Sequence, residues 1–299
     1  MRIFNKNNKN GNIVILKQTK PNTCGGTDAT IDTSAPKEIK SENMIFFDIS
    51  SRVGYGDGYI KDFHAFAAKG DDGNFIYLET IKYIDNERNC SWALISDDIF
   101  SELNRLVLKY DIAKQNGYHS TTHGLPENFG GSVDIRYSSE ERISISDNQS
   151  PVISGDACYE IVVIFNEYLN RERVDLPDIS TLQKIRFLST GKDSCVDATL
   201  TLNAEGTGTN KKTSNYGDDV FQSEKTVDKD TISAIKSAIE NTGLLAWNNL
   251  PKNKLNSEDK TLTFIFEDGE EITVHYGVLA PSFISNGFFS IELELKTKN

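Results

Sequence analysis

The sequence predicts an α+β protein of two tandem duplicated units, each a mostly antiparallel sheet with one or two packed helices. Three observations predict it. A helical apolar stripe recurs 132 residues apart, a pair of alternating strands around a tight polar turn recurs after it, and a polar, proline-bearing join separates the copies. A length of 299 residues suits two domains of ordinary size.

The helices come first in the argument. "DIFSELNRLVLKYDIA" (98–113) matches "DTISAIKSAIENTGLL" (230–245), with Phe100, Leu103, Val107 and Ile112 falling on Ile232, Ile235, Ile239 and Leu244. Spacings of three and four place one apolar stripe on each helix. Asp97 and Asp98 open the first and Asp228 and Asp230 the second, where acids accept from free N–H groups and complement the dipole. Gly243 stops the second helix.

The strands follow. "SVDIRYSSEERISIS" (132–146) matches "TLTFIFEDGEEITVH" (261–275). Val133, Ile135 and Tyr137 alternate, as do Leu262, Phe264 and Phe266, and each run precedes a polar turn; period-two alternation of this kind reads as a hairpin. Upstream, "CGGTDATID" (24–32) is set against "CVDATLTLN" (195–203), each after a short strand. The first unit, 1–178, therefore carries an extra strand-rich insertion at about 44–94, and the second, 179–299, is shorter. Ser154 caps a helix with Cys158, Ile161, Val162, Phe165 and Leu169 on its apolar face, and Arg171 and Arg173 close it. Its counterpart at 286–296 fits both strand and helix periods and is assigned to helix by analogy with the first unit. Pro177 ends the polar join "NRERVDLPDIS".

A formal charge of −12 repels phosphate backbones and anionic lipid, so nucleic acid and membrane surfaces are not expected partners. No run approaches the length of a membrane helix, and the amino-terminal apolar run is too short for a secretory signal. Cys24, Cys90, Cys158 and Cys195 form no CxxC pair, so a cytoplasmic protein with reduced thiols and no metal or cofactor is expected.

"NGYHSTTHGLPENFGG" (116–131) holds two of the four histidines. "LPEN" (125–128) matches "LPKN" (250–253), so "GYHSTTHG" falls mostly in a seven-residue insertion that the second unit lacks. The candidate ligand-binding residues are His119, Thr122, His123, Glu127 and Asn128, because functional residues concentrate on loops held by rigid elements. A metal reading uses His119, His123 and Glu127, whose types suit zinc, but no HExxH motif accompanies them. "GYGDG" (54–58), "TGKDS" (190–194) and "DNQSP" (147–151) read as turns rather than phosphate or cation loops. His64 and His275 read as strand residues. The expected activity is non-catalytic binding of a protein or small molecule; the alternative is a metal-assisted or acid–base hydrolase built on the His119/His123/Glu127 loop.

The layout of short strands, one helix and a "DG" hairpin resembles uncharacterised bacterial proteins of duplicated α+β units. The resemblance implies the fold and no activity, so it assigns no functional residue.

Overall fold

The computed structural model describes residues 13–17, 26–52, 60–82, 86–124, 130–191, 194–217, 219–250, 259–276 and 282–296. They form two sheets and four helices, and nearly all neighbouring strands run antiparallel. The chain divides into two compact units, Met1–Lys69 with Ile76–Arg173, and Gly70–Phe75 with Val174–Asn299. No helix among the described residues is long and apolar enough to cross a membrane.

The first sheet is built from β1 (Ile13–Lys17), β2 (Thr27–Asp32), β3 (Met44–Arg52), β4 (Ile60–Lys69), β5 (Asn74–Lys82), β6 (Arg88–Ile95), β7 (Tyr118–Thr122), β8 (Gly131–Tyr137) and β9 (Arg142–Asp147). Their order across the sheet is β1-β2-β7-β9-β8-β3-β4-β5-β6. Helices α1 (Phe100–Lys109) and α2 (Gly155–Leu169) pack on one face. The alternation in β8 and β9 explains why: Val133, Ile135, Tyr137, Ile143 and Ile145 are buried against the helices. Each such side chain contributes about 1.5–3 kcal/mol by leaving water. Phe47 of β3 meets Phe165 of α2 at 6.0 Å between ring centroids.

The helix ends follow the sequence closely. The Asp98 carboxylate accepts from the Phe100 N–H at 3.1 Å, and the Ser154 hydroxyl from that of Ala157 at 3.2 Å. At the end of α2 Arg171 donates its backbone N–H to Tyr168 O at 3.1 Å, while its side chain turns back to Asp97 at 2.9 Å and lies over the Tyr168 ring. A stacked, bidentate-capable guanidinium finds more there than at a frayed carbonyl.

The second sheet is β13-β12-β11-β10-β14-β15, made from β10 (Leu182–Thr190), β11 (Ser194–Leu202), β12 (Gly208–Tyr216), β13 (Asp219–Val227), β14 (Asp259–Phe266) and β15 (Glu271–His275). Helix α3 (Lys229–Asn241) is capped by Asp228, which accepts from the Thr231 N–H at 2.8 Å. The ambiguous last segment is helix α4 (Ser282–Lys296). Phe288, Ile291 and Leu295 are buried while Phe289 and Leu293 are exposed, so the helical period decides.

Local details recur. β3 shifts register against β8 between Met44 and Phe46, and β10 shifts against β14 between Leu182 and Lys184. The hairpin turns place Glu140 at φ 70° and Gly269 at φ 87°, each donating its N–H to the last residue of the preceding strand. After α1 and α3 the chain turns through Asp111 (φ 52°) and Gly243 (φ 61°) into a short 3-10 turn. The stretch at about 44–94, expected as an insertion, corresponds to β3–β6 (Met44 to Ile95), with β3 bonded directly to β8.

Candidate ligand-binding face of the first sheet

The same alternation that buries one face of β8 and β9 turns polar residues to the other. On β9 these are Ser144 and Ser146; on β8, Ser132, Asp134 and Arg136. β3 adds Asp48 and Ser50, and β4 adds Asp62 and His64. Strand pairing sets four of them in one row with His119 of β7. His119 is opposite Ser146, Ser146 opposite Ser132, Ser132 opposite Ser50, and Ser50 opposite His64.

Hydrogen bonds run along this row. His119 Nδ1 and Ser146 Oγ are 2.9 Å apart, as are the Ser50 and Ser132 hydroxyls. His64 Nε2 is 2.7 Å from Asp48 Oδ1. Beside the row, Arg136 and Arg142 both clamp the Asp134 carboxylate, with closest contacts of 2.7 Å. Burial works against ionisation of Asp134, but the two guanidiniums outweigh it and hold the carboxyl below its usual range. Two open clefts flank the row. One, of about 580 Å³, is lined by Asp32, Asn116, His119, Arg142 and Ser144 among others. The other, of about 460 Å³, includes Ser50, Arg52, Lys61, Asp62, Ser132 and Ser146.

β7 owes its place to three sets of hydrogen bonds between segments distant in sequence. Asn116 is 2% exposed and donates to Pro36 O at 2.9 Å and Arg142 O at 2.7 Å, while its Oδ1 accepts from the Ser144 N–H at 2.7 Å. Gly117 continues the ladder, donating to Ser144 O and accepting from the Asp32 N–H, both at 2.9 Å. At the far end the Asn148 amide pairs with both backbone groups of Thr122, at 2.8 and 2.9 Å, and so extends the sheet by one side chain. Asp147 forms the expected Asx turn, accepting from the Gln149 and Ser150 N–H groups.

Of the five expected site residues three are described, and each meets a different partner. His119 faces the first cleft. The Thr122 hydroxyl meets that of Thr27 at 3.0 Å, and His123 Nε2 lies 3.4 Å from Asp28 Oδ2 where both side chains are exposed. Glu127 and Asn128 lie outside the described residues. The stretch read as a loop forms a strand at 118–122, and in extended chain a spacing of four separates two residues by about 13 Å. One ion cannot bridge ligands that need contact at about 2 Å from such a spacing. Among the described residues, no three His, Cys, Asp or Glu side chains form a group that could hold a metal. Sequence reasoning passed over Ser50, Ser132 and Ser146. The signal for them was the polar half of each alternating run, "SVDIRY" above all.

Cys158 is buried, which pushes its thiol up to about 11. Cys195 is half-buried rather than fully packed, and Cys24 lies outside the described residues.

Burial lowers the pKa of His119, and the charge of Arg142 lowers it further, against a smaller opposing pull from Asp32. The folded protein therefore takes up a proton here less readily than the unfolded chain. Stability tied to His119 is present above the ordinary imidazole pKa of about 6.5 and is lost as pH falls below it, until the folded-state pKa is passed. Urea unfolding of the first unit at descending pH should show this loss, and His119→Asn should flatten the slope. An unchanged slope in that variant would contradict the assignment.

No protein-family model matches the chain, and no curated protein matches it.

Proposed function

We propose that the chain is a non-catalytic binding protein whose small-molecule or protein ligand seats on the polar face of the first sheet. One observation carries this reading: five adjacent strands align His119, Ser146, Ser132, Ser50 and His64 in a single row between two open clefts. Side chains on strands lose little freedom on binding, so such a row is preorganised. Hydroxyls both donate and accept, and the neighbouring arginines are already oriented by carboxylates. In the second sheet the row Leu188, Asp197, Thr261 and His275 keeps no such hydroxyl series, which favours the first unit as the binding one.

The test is a ligand-observed NMR screen of small polar molecules. Ser132 is exposed at mid-row, and Ser132→Trp should weaken specific hits at least tenfold, about 1.4 kcal/mol. Thr263→Trp, on the second sheet, should leave them unchanged. Hits indifferent to Ser132→Trp would sink the reading. A second reading, an acid–base hydrolase, rests on His119 beside Ser146, an imidazole held neutral next to a hydroxyl. It requires turnover of ester or phosphoester substrates that Ser146→Ala abolishes.

We also infer that the two units are a tandem duplication. Support comes from the matching orders β6-β5-β4-β3-β8-β9 and β13-β12-β11-β10-β14-β15, the paired register shifts, and the paired left-handed turn residues. This correspondence sets β3–β6 against β10–β13. It replaces the one based on Cys24 and Cys195, and leaves β1, β2 and β7 as the addition that borders the proposed site.

A further inference from the structure

Among the described residues strand β13 ends the second sheet, and no described strand lies beside its outer backbone edge in the sheet order. Natural proteins blunt such edges with prolines, bulges, very short strands or charged side chains. Of these β13 has only the charges, Asp219, Glu224 and Lys225. It runs nine residues, carries no Pro or Gly, and pairs with β12 from Asp219 to Val227 without a register shift. Its side chains are exposed on both faces: Val220 and Phe221 are each 60% exposed, and Tyr216 beside Phe221 is 57% exposed. The opposite edge, β15, is five residues long. A long, unbroken edge with exposed apolar residues is a template for another strand.

We propose that β13 pairs antiparallel with β13 of a second copy of this chain, joining two six-stranded sheets edge to edge. The charge pattern of the strand selects this partner. A twofold axis perpendicular to the sheet keeps opposing side chains on one face, so only registers that centre on a residue are allowed. Centring on Gln222 sets Asp219 opposite the partner's Lys225 at both ends of the contact. It also sets Phe221 diagonal to the partner's Phe221, within reach for aromatic rings. Centring on Glu224 would oppose that carboxylate to its own copy. Centring on Ser223 would face Asp219 with the partner's Val227, and centring on Phe221 would carry Lys225 past the end of the partner strand. Of these registers only the one on Gln222 sets Asp219 opposite Lys225, whose ammonium also donates to Glu294 O at 3.3 Å, while Glu224 keeps its ion pair with Lys211 at 3.4 Å.

Two measurements on the 299-residue chain test this at about 0.15 M salt, where charges beyond about 8 Å are screened and the net −12 does not mask the contact. Under mild oxidation, Gln222→Cys should form a covalent dimer, while the unsubstituted chain and Thr226→Cys should not. In sedimentation equilibrium the mass should rise from one chain to two with concentration. Asp219→Lys should weaken association at least tenfold, and Asp219→Lys combined with Lys225→Asp should restore it. A single-chain mass at every concentration would overturn the proposal. So would equal crosslinking of Gln222→Cys and Thr226→Cys, or association unchanged by Asp219→Lys.

Discussion

Gly130→Ala should destabilise the first unit by about 3–4 kcal/mol, near the top of the range for a single substitution. A methyl group there would lie 2.2 Å from Asp147 O and 2.4 Å from the Asn148 Cα, both backbone atoms that cannot swing aside. The neighbouring Gly131 is packed as tightly, 2.5 Å from Ser50 O. The start of β8 is thus wedged between the end of β9 and the end of β3. Relief requires the strands to part where Ser50, Ser132 and Ser146 line the second cleft. Urea unfolding of the first unit, followed by a probe confined to it, measures the loss. A midpoint shifted by less than the equivalent of about 1 kcal/mol would show that the backbone relaxes cheaply.

Asn116 carries the second large effect. Its three hydrogen bonds join the segment at Pro36, the start of β9 and the approach to β7. Asn116→Ala would remove the partner of two carbonyls and one N–H at partly buried bonds, at about 1–3 kcal/mol in all. Asn116→Asp should be worse at neutral pH although it is nearly isosteric. It would aim a carboxylate oxygen at Pro36 O and Arg142 O, where the amide now donates at 2.9 and 2.7 Å. Comparing the two variants by thermal unfolding checks the order. Equal stability would mean that the amide nitrogen contributes nothing. Loss of β7 pairing should move His119 and with it the polar row.

Much of the fold was legible because its signals are local. The stripe of Ile232, Ile235 and Ile239 and the alternation of Val133, Ile135 and Tyr137 need only chain geometry to be read. The last helix was ambiguous for the same reason: Phe288, Phe289, Ile291, Leu293 and Leu295 satisfy both periods, and only the core that buried three of them chose. β7 was not legible. "YHSTT" has little apolar content, and it becomes a strand through β2, whose Thr30 stands opposite His119 from 89 residues upstream. Long-range pairing of this kind leaves almost no trace in a short window.

The sequence by itself determined the α+β class, the helix caps at Ser154 and Asp228, the Asp98 carboxylate at the start of α1, and the two hairpins. Only the tertiary structure decided which polar residues share a surface. Ser50, His64, His119, Ser132 and Ser146 come from five strands scattered over about a hundred residues, and each alone is an ordinary outward-facing strand position. Strand order and register are set by burial of the opposite, apolar face. The proposed site is therefore a consequence of how the core aligns the strands, which no single stretch of the chain encodes.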